Sequence, residues 1–211
     1  MQTGTVLWYR HSMAERRSSW HKRCPLCKIN KELCFCSEIK IFDIQSRLQV
    51  LIHRKEKFLP SNTANLLARN FPNNIKMLTQ GEPDPNKRQE FKFTDGHYPL
   101  FLYPDENAIE LNQKLLNDIA SPIELIIPDG TWRQARKMKR RIPNLSSVIS
   151  VKLTGDFQSS YSLRKQKYDN GLCTYEAAAK ALGIIEGKEL EKKMLKQFEV
   201  MNNRFKASRP Y

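Results

Sequence analysis

The run Ile123–Ile127 (IELII) constrains the fold of this chain more than any other stretch. It is short and almost wholly apolar, and it passes directly into Pro128, Asp129 and Gly130. A strand without polar alternation is buried on both faces, and sheets covered on both sides are built mostly of parallel strands. Arg47–Ile52, Ile75–Leu78, Pro99–Tyr103 and Val148–Val151 also read as strands. Between them lie helical patterns. Ser61 is placed to cap a helix over Asn62–Asn70, and Ile109, Leu111, Leu115 and Leu116 predict one over Glu106–Asp118. A basic helix is expected over Trp132–Arg141, and an alanine-rich one over Thr174–Ile185 with Thr174 as its cap. A charged helix follows over residues 187–206. Strands alternating with helices argue for an α/β domain, a mostly parallel sheet flanked by helices. Long irregular stretches at 79–98 and 152–173 exceed ordinary connections. In such a sheet, ligands bind beyond the carboxyl ends of the strands, here the loops after Tyr103, Ile127 and Val151.

A chain of 211 residues has room for one good core and a small appendage. The expected division is a cysteine-bearing module at 1–43, an α/β domain at 44–190 and a helical tail at 191–211. No run of eighteen apolar residues is present, and the first twenty residues lack a signal-peptide core, so the expected setting is cytoplasmic and off the membrane. Lys and Arg number 36 against 22 Asp and Glu, a net charge of +14. Such an excess concentrates polyanions around the protein, and nucleic acid is their usual form. The plainer reading of the charge is solubility. No feature calls for an obligate protein partner.

Cys24, Cys27, Cys34 and Cys36 fall within thirteen residues, as C-P-L-C-x6-C-F-C. Residues 21–43 carry few large apolar groups, and a bound metal would supply the stability they lack. Four thiolates at this spacing suit tetrahedral Zn2+ in a closed, structural site, with an iron–sulfur cluster as the other metal reading. Lys22, Arg23 and Lys28 favour the thiolate forms. Cys173 stands apart and reads as a small residue packed beside a helix start.

Leu125–Met138 is the most informative stretch. A buried strand ends in Pro128-Asp129-Gly130, and a helix begins at Thr131. The turn gathers a carboxylate, a hydroxyl and free N–H groups at a helix start, beside the flat surface of Trp132. Arg133, Arg136, Lys137, Lys139, Arg140 and Arg141 make the helix strongly basic and suited to phosphate. Helix capping by Asp129 and Thr131, with Trp132 as a core anchor, explains the same residues without a ligand.

The Asp129-Gly130-Thr131-Trp132 sequence resembles the signature of the DTW-domain family. Other stretches resemble that family in the same order: the cysteine cluster, Ile52–Glu56 with Pro60–Thr63, Leu102-Tyr103-Pro104, Tyr161–Gln166 and Leu172–Ala177. Together they span about residues 22–185. The chain departs from the pattern at Cys173, where serine is common, and at Arg54-Lys55, where a proline is expected.

The resemblance implies a SPOUT-like fold with a trefoil knot, a rare exception to unknotted topology. It also implies transfer of the 3-amino-3-carboxypropyl group of S-adenosylmethionine to N3 of a tRNA uridine, with 5'-methylthioadenosine released. On that reading Asp129, Thr131 and Trp132 are the catalytic set, with Asp129 the first choice of general base. Leu102, Tyr103, Pro104, Pro128, Asp129, Gly130, Thr131, Arg164, Thr174 and Glu176 would hold the donor. Arg164 offers its fork to the donor carboxylate or to RNA phosphate, and Glu176 either holds the donor ammonium or favours a helix start. Arg133, Arg136, Lys137, Lys139, Arg140 and Lys165 would contact RNA. Trp20, Phe35 and Trp132 offer rings for stacking or for packing, and His53 and Glu56 stay open between binding and structure. A methyltransferase on the same fold and a non-catalytic, zinc-containing RNA-binding protein are the competing readings.

Overall fold

The structure is a computed structural model that describes residues 22–161 and 171–208. Six strands form one sheet: β1 (Arg47–His53), β2 (Ile75–Gln80), β3 (Tyr98–Leu102), β4 (Ile109–Glu110), β5 (Ile123–Asp129) and β6 (Ile149–Lys152). Their order is β2-β1-β5-β3-β6-β4, and every neighbouring pair is parallel. The helices are α1 (Ala64–Asn70), α2 (Gln113–Asn117), α3 (Trp132–Arg141), α4 (Thr174–Ile185) and α5 (Lys188–Ala207).

Alternate residues of each central strand enter opposite cores. Val50, Leu100, Leu102, Leu125 and Ile127 face the core shared with α1, α4 and α5. Leu51, Phe101, Tyr103 and Ile126 face the core beneath α3, with Ala135 and Met138. The strands are therefore covered on both faces, as the apolar run in β5 demands. Burying one such side chain fully is worth about 1.5–3 kcal/mol, so the central strands anchor the domain.

One expected helix is replaced. Within Glu106–Asp118, Ile109 and Glu110 form β4 and pair with Val151 and Lys152 of β6. Asn112 then caps the short α2 by accepting a hydrogen bond from Leu115 N at 3.0 Å. Ile109 and Leu111 are two residues apart, which is strand spacing, and the helical pattern resumes only after the cap. The cap of α4 also differs from expectation. Cys173 is the N-cap, Glu176 closes the capping box, and the Thr174 hydroxyl points elsewhere. At α1 the cap position is Thr63 instead of Ser61.

The cysteine segment packs onto α5. Phe35 is 2% exposed and lies 6.5 Å from the Phe205 ring, Arg204 pairs with Glu38 at 2.9 Å, and Lys40 N donates to Gln197 Oε1 at 2.9 Å. Phe35 is thus a packing residue and offers no ring to RNA. Helix α5 runs unbroken through residue 190, so the expected start of a separate tail falls inside its first turn. The β6–α4 connection includes residues 162–170, which lie outside those described.

Candidate functional site

The β1 connection leads to β2 on one side of the sheet, while the β5 connection leads to β6 on the other. Connections that part in this way open a crevice beyond the strand ends, where open α/β sheets bind ligands. The two strands that border it end in His53 and Asp129.

Asp129 is buried at the end of β5, in register with Ile52. Its Oδ2 accepts a hydrogen bond from Asn62 Nδ2 and its Oδ1 accepts one from Thr174 Oγ1, each at 2.5 Å. One carboxylate thereby ties β5 to the entries of α1 and α4. Asn62 is itself buried, and its Oδ1 accepts from Ala64 N at 2.8 Å. Asn62 belongs to the site but was not singled out from the sequence; only its place in the Pro60–Thr63 motif pointed to it.

The turn after Asp129 is tightly fitted. A Cβ on Gly130 would meet Gln134 Oε1 at 2.8 Å and His53 Cβ at 3.3 Å, so only glycine fits without displacement. Thr131 and Gln134 form a reciprocal capping box: Thr131 Oγ1 accepts from Gln134 N at 3.4 Å, and Gln134 Oε1 accepts from Thr131 N at 2.7 Å. The Thr131 N–H and hydroxyl are thus engaged with the helix start. Gln134 Nε2 lies 3.0 Å from His53 Nδ1 and links the two sides of the crevice. Desolvation, then the charges of Arg54 and Lys55, lower the His53 pKa despite Glu56. Gly81, at φ 77°, comes close to the same ring; a Cβ there would sit 2.9 Å from His53 Nε2. Gln134, like Asn62, went unremarked in the sequence.

Trp132 is 47% exposed, and its ring lies 5.7 Å from that of Tyr103. Tyr103 is buried and donates its hydroxyl to the Trp132 carbonyl at 3.4 Å. Leu102 is buried, while Pro104 is exposed and Pro128 half-buried. The strand ends of β3 and β5 thus join one half-open aromatic wall.

Glu176 does not face the crevice as a free carboxylate. It is buried and accepts from Ser159 Oγ at 2.6 Å, Ser160 N at 2.8 Å, Ser160 Oγ at 3.1 Å and Cys173 N at 3.0 Å. Desolvation and the neighbouring Glu176 charge push the half-buried Cys173 thiol far up, which makes it unreactive. Arg164, Lys165 and Trp20 lie outside the described residues.

On α3, Arg133, Arg136, Lys137, Arg140 and Arg141 are exposed along one basic face. Lys139 turns the other way. Its Nζ donates to Val148 O at 2.9 Å and to Ser150 Oγ, and pairs with Asp105 at 3.5 Å. Desolvation raises Asp105, but Ser150, Lys139 and the Asn107 N–H outweigh it and hold its pKa below the ordinary carboxylate value. Lys139 is therefore held by structural partners and does not share the exposed basic face of α3.

Cys24, Cys27, Cys34 and Cys36 bring their Sγ atoms within 4.8 Å of one another. Cys24 to Cys36 is 3.6 Å and Cys27 to Cys34 is 3.8 Å. A tetrahedral ion with Zn–S bonds of about 2.3 Å requires sulfurs about 3.8 Å apart, so the four can hold a metal ion. Desolvation raises Cys24, yet the N–H groups of Cys27 and Leu26, with the Cys34 and Cys27 thiols, bring it down to about 6. Burial pushes Cys27 up to about 12 and raises Cys36. Burial opposes charging Cys27 and Cys36, and a bound cation would offset that cost.

A depression of about 450 Å3 lined by Glu110, Asn112, Gln113, Thr154 and Lys188 lies at the β4 edge. It is remote in topology from the β1–β5 crevice and gathers no reactive set. Among the described residues, no helix is long and apolar enough to cross a membrane.

Comparison with known proteins adds the family. A tRNA-uridine aminocarboxypropyltransferase 2 of Drosophila melanogaster is 28% identical over 171 residues, covering 79% of this chain and 67% of the fly protein. One of the same name from Mus musculus is 28% identical over 177 residues, covering 82% and 58%. A tRNA-uridine aminocarboxypropyltransferase A of Arabidopsis thaliana is 24% identical, covering 90% and 84%. The chain thus spans little more than half the length of the mouse relative and about two thirds of the fly one. No solved structure matches it significantly. The DTW domain profile matches residues 21–206, nearly the whole described chain, and the chain belongs to the DTW domain family.

Proposed function

We propose that this protein is a tRNA-uridine aminocarboxypropyltransferase of the cytoplasm. The observation that carries the reading is the placement of Asp129–Trp132 at the β1–β5 crevice, in a chain whose relatives bear that name. The donor is S-adenosylmethionine. Uridine N3 gives its proton to solvent water and attacks the γ-carbon of the methionine chain. The carbon–sulfur bond breaks, its electron pair stays on sulfur, and 5'-methylthioadenosine leaves. In-line approach selects this carbon over the methyl group, so the site's main task is to hold the chain in that orientation.

Tyr103 and Trp132 supply an aromatic wall for a flat ring, and Pro104, Pro128 and Gly130 line the strand ends beside it. Asp129 keeps the crevice in shape through Asn62 and Thr174. Both its oxygens are engaged by these side chains, which favours a positioning role over that of general base. The exposed arginines and lysine of α3 face the polyanion, and the cysteine module, residues 1–43, carries a structural Zn2+. In this reading the sheet and its helices follow a SPOUT-like path with a trefoil knot.

The test uses unmodified tRNA and donor labelled in either the methyl or the carboxyl group. Carboxyl label entering the tRNA while the methyl label leaves as methylthioadenosine is the expected result. Methyl label alone in the tRNA would establish a methyltransferase instead. Tight tRNA binding with neither label transferred would establish a non-catalytic RNA-binding protein.

A further inference from the structure

Phe58 is 81% exposed, the most exposed large hydrophobic side chain among the described residues. Isolated exposed apolar residues are ordinary, but the surroundings of this one are not. Arg54, Lys55 and Lys57 are exposed beside it, and Glu56, the one acid of residues 54–61, is half-buried. Lys57 Nζ stands 5.6 Å from the Phe58 ring. The loop is held in shape by successive turns: Glu56 N donates to His53 O at 2.8 Å, Leu59 N to Glu56 O at 3.0 Å, and Asn62 N to Leu59 O at 3.0 Å. Both its ends reach the crevice. His53 contacts Gln134, and Asn62 holds Asp129. Asn62 is four positions after Phe58, so their Cα atoms are at most about 14 Å apart.

We infer that residues 54–60 form an RNA-binding arm, with Phe58 stacking on an unpaired base next to the target nucleotide and Arg54, Lys55 and Lys57 holding the adjoining phosphates. An exposed ring among cations is the chemistry that recognises single-stranded nucleic acid, because every base has a face to stack and each phosphate a charge to meet. A strand that presents a base to the β1–β5 crevice has to pass within reach of this arm. Trp132 stands at the β5 end of the same crevice, so the strand meets an exposed ring at either border. The inference rests on the tRNA reading above.

The experiment measures binding of an unmodified tRNA transcript to the full chain across a salt series. Phe58→Ala weakens binding by about 5- to 150-fold, the range for losing one stacked base. Phe58→Trp stays within about twofold of wild type, because the larger ring stacks as well. Neither variant changes the melting temperature, since so exposed a ring packs against little. Lys55→Ala with Lys57→Ala lowers the salt slope by about 1 to 2. A fully paired RNA hairpin binds Phe58→Ala and wild type alike. Unchanged tRNA affinity in Phe58→Ala, or an equal loss on the paired hairpin, overturns the inference. So does Phe58-dependent binding to phosphatidylserine vesicles with tRNA affinity unmoved. Wild type that fails to bind tRNA removes the tRNA reading and this inference together, whereas tight wild-type binding with no Phe58 effect removes only the latter.

Discussion

Replacing Asp129 by asparagine and by alanine separates two roles for the carboxylate. In the structure its oxygens accept hydrogen bonds from Asn62 and Thr174, each at 2.5 Å. Hydrogen bonds to a charged group contribute about 1.5–3 kcal/mol each. Alanine removes both and strands the buried Asn62 amide, so Asp129→Ala loses about 3–6 kcal/mol. For a domain of this size that is a fall of about 6–24 °C in melting temperature. Asparagine has nearly the same shape. Its carbonyl still accepts from Asn62, and its amide donates to the Thr174 oxygen in place of accepting. Two neutral bonds of about 0.5–1.5 kcal/mol each remain, which limits the loss in Asp129→Asn to about 2–3 kcal/mol. The transfer assay then decides the chemistry. A positioning residue leaves kcat of Asp129→Asn within about tenfold of wild type, while a general base loses about 100- to 10,000-fold. The reasoning fails if Asp129→Asn folds as stably as expected yet turns over at the level of a lost base. It fails equally if the two variants are destabilised alike.

Other perturbations test other parts of the structure. Chelation, or Cys34→Ser, removes one metal ion per chain and raises amide exchange along α5, because the cysteine segment packs on Phe205, Arg204 and Gln197; unchanged exchange in α5 would contradict this. Asp105 has a folded pKa below its ordinary value of about 3.9, so its contribution to stability is present above that range and is lost as pH falls through the folded pKa. Asp105→Asn therefore melts lower than wild type at pH 7 and converges with it in acid; a constant gap down to strong acid would refute the assignment. On α3, Arg136→Ala lowers the salt slope of tRNA binding by about 1 with little change in stability. Lys139→Ala costs about 1–3 kcal/mol through its Asp105 and Ser150 partners and leaves the salt slope unmoved; the reverse pattern would show the two cations misassigned.

The central strands were legible in the sequence because burial on both faces leaves an apolar run, and no partner is needed to see it. The bounds of α3 and α4 were equally plain, marked by Thr131 at one helix and by the alanine-rich run at the other. The segment Glu106–Asp118 misled because four apolar residues satisfy a helical count while the first pair, Ile109 and Leu111, also fits a strand, and only pairing with β6 decides between them. Site residues divide in the same way. Asp129 announced itself at a strand end, whereas Asn62 and Gln134 act through partners 67 and 81 residues away, which no local pattern records. Two roles were readable and were passed over. Cys173 and Glu176 stand at capping-box spacing, and Lys139 follows Met138 on the face that Ala135 and Ile142 bury.

The most direct test of the proposed activity is mass spectrometry of nucleosides from unmodified tRNA incubated with the protein and S-adenosylmethionine. The expected product is a uridine heavier by one aminocarboxypropyl group and substituted at N3, formed in step with methylthioadenosine and absent without the protein. A uridine heavier by one methyl group, or tRNA returned unchanged by a folded, metal-loaded protein that binds it, would contradict the proposal.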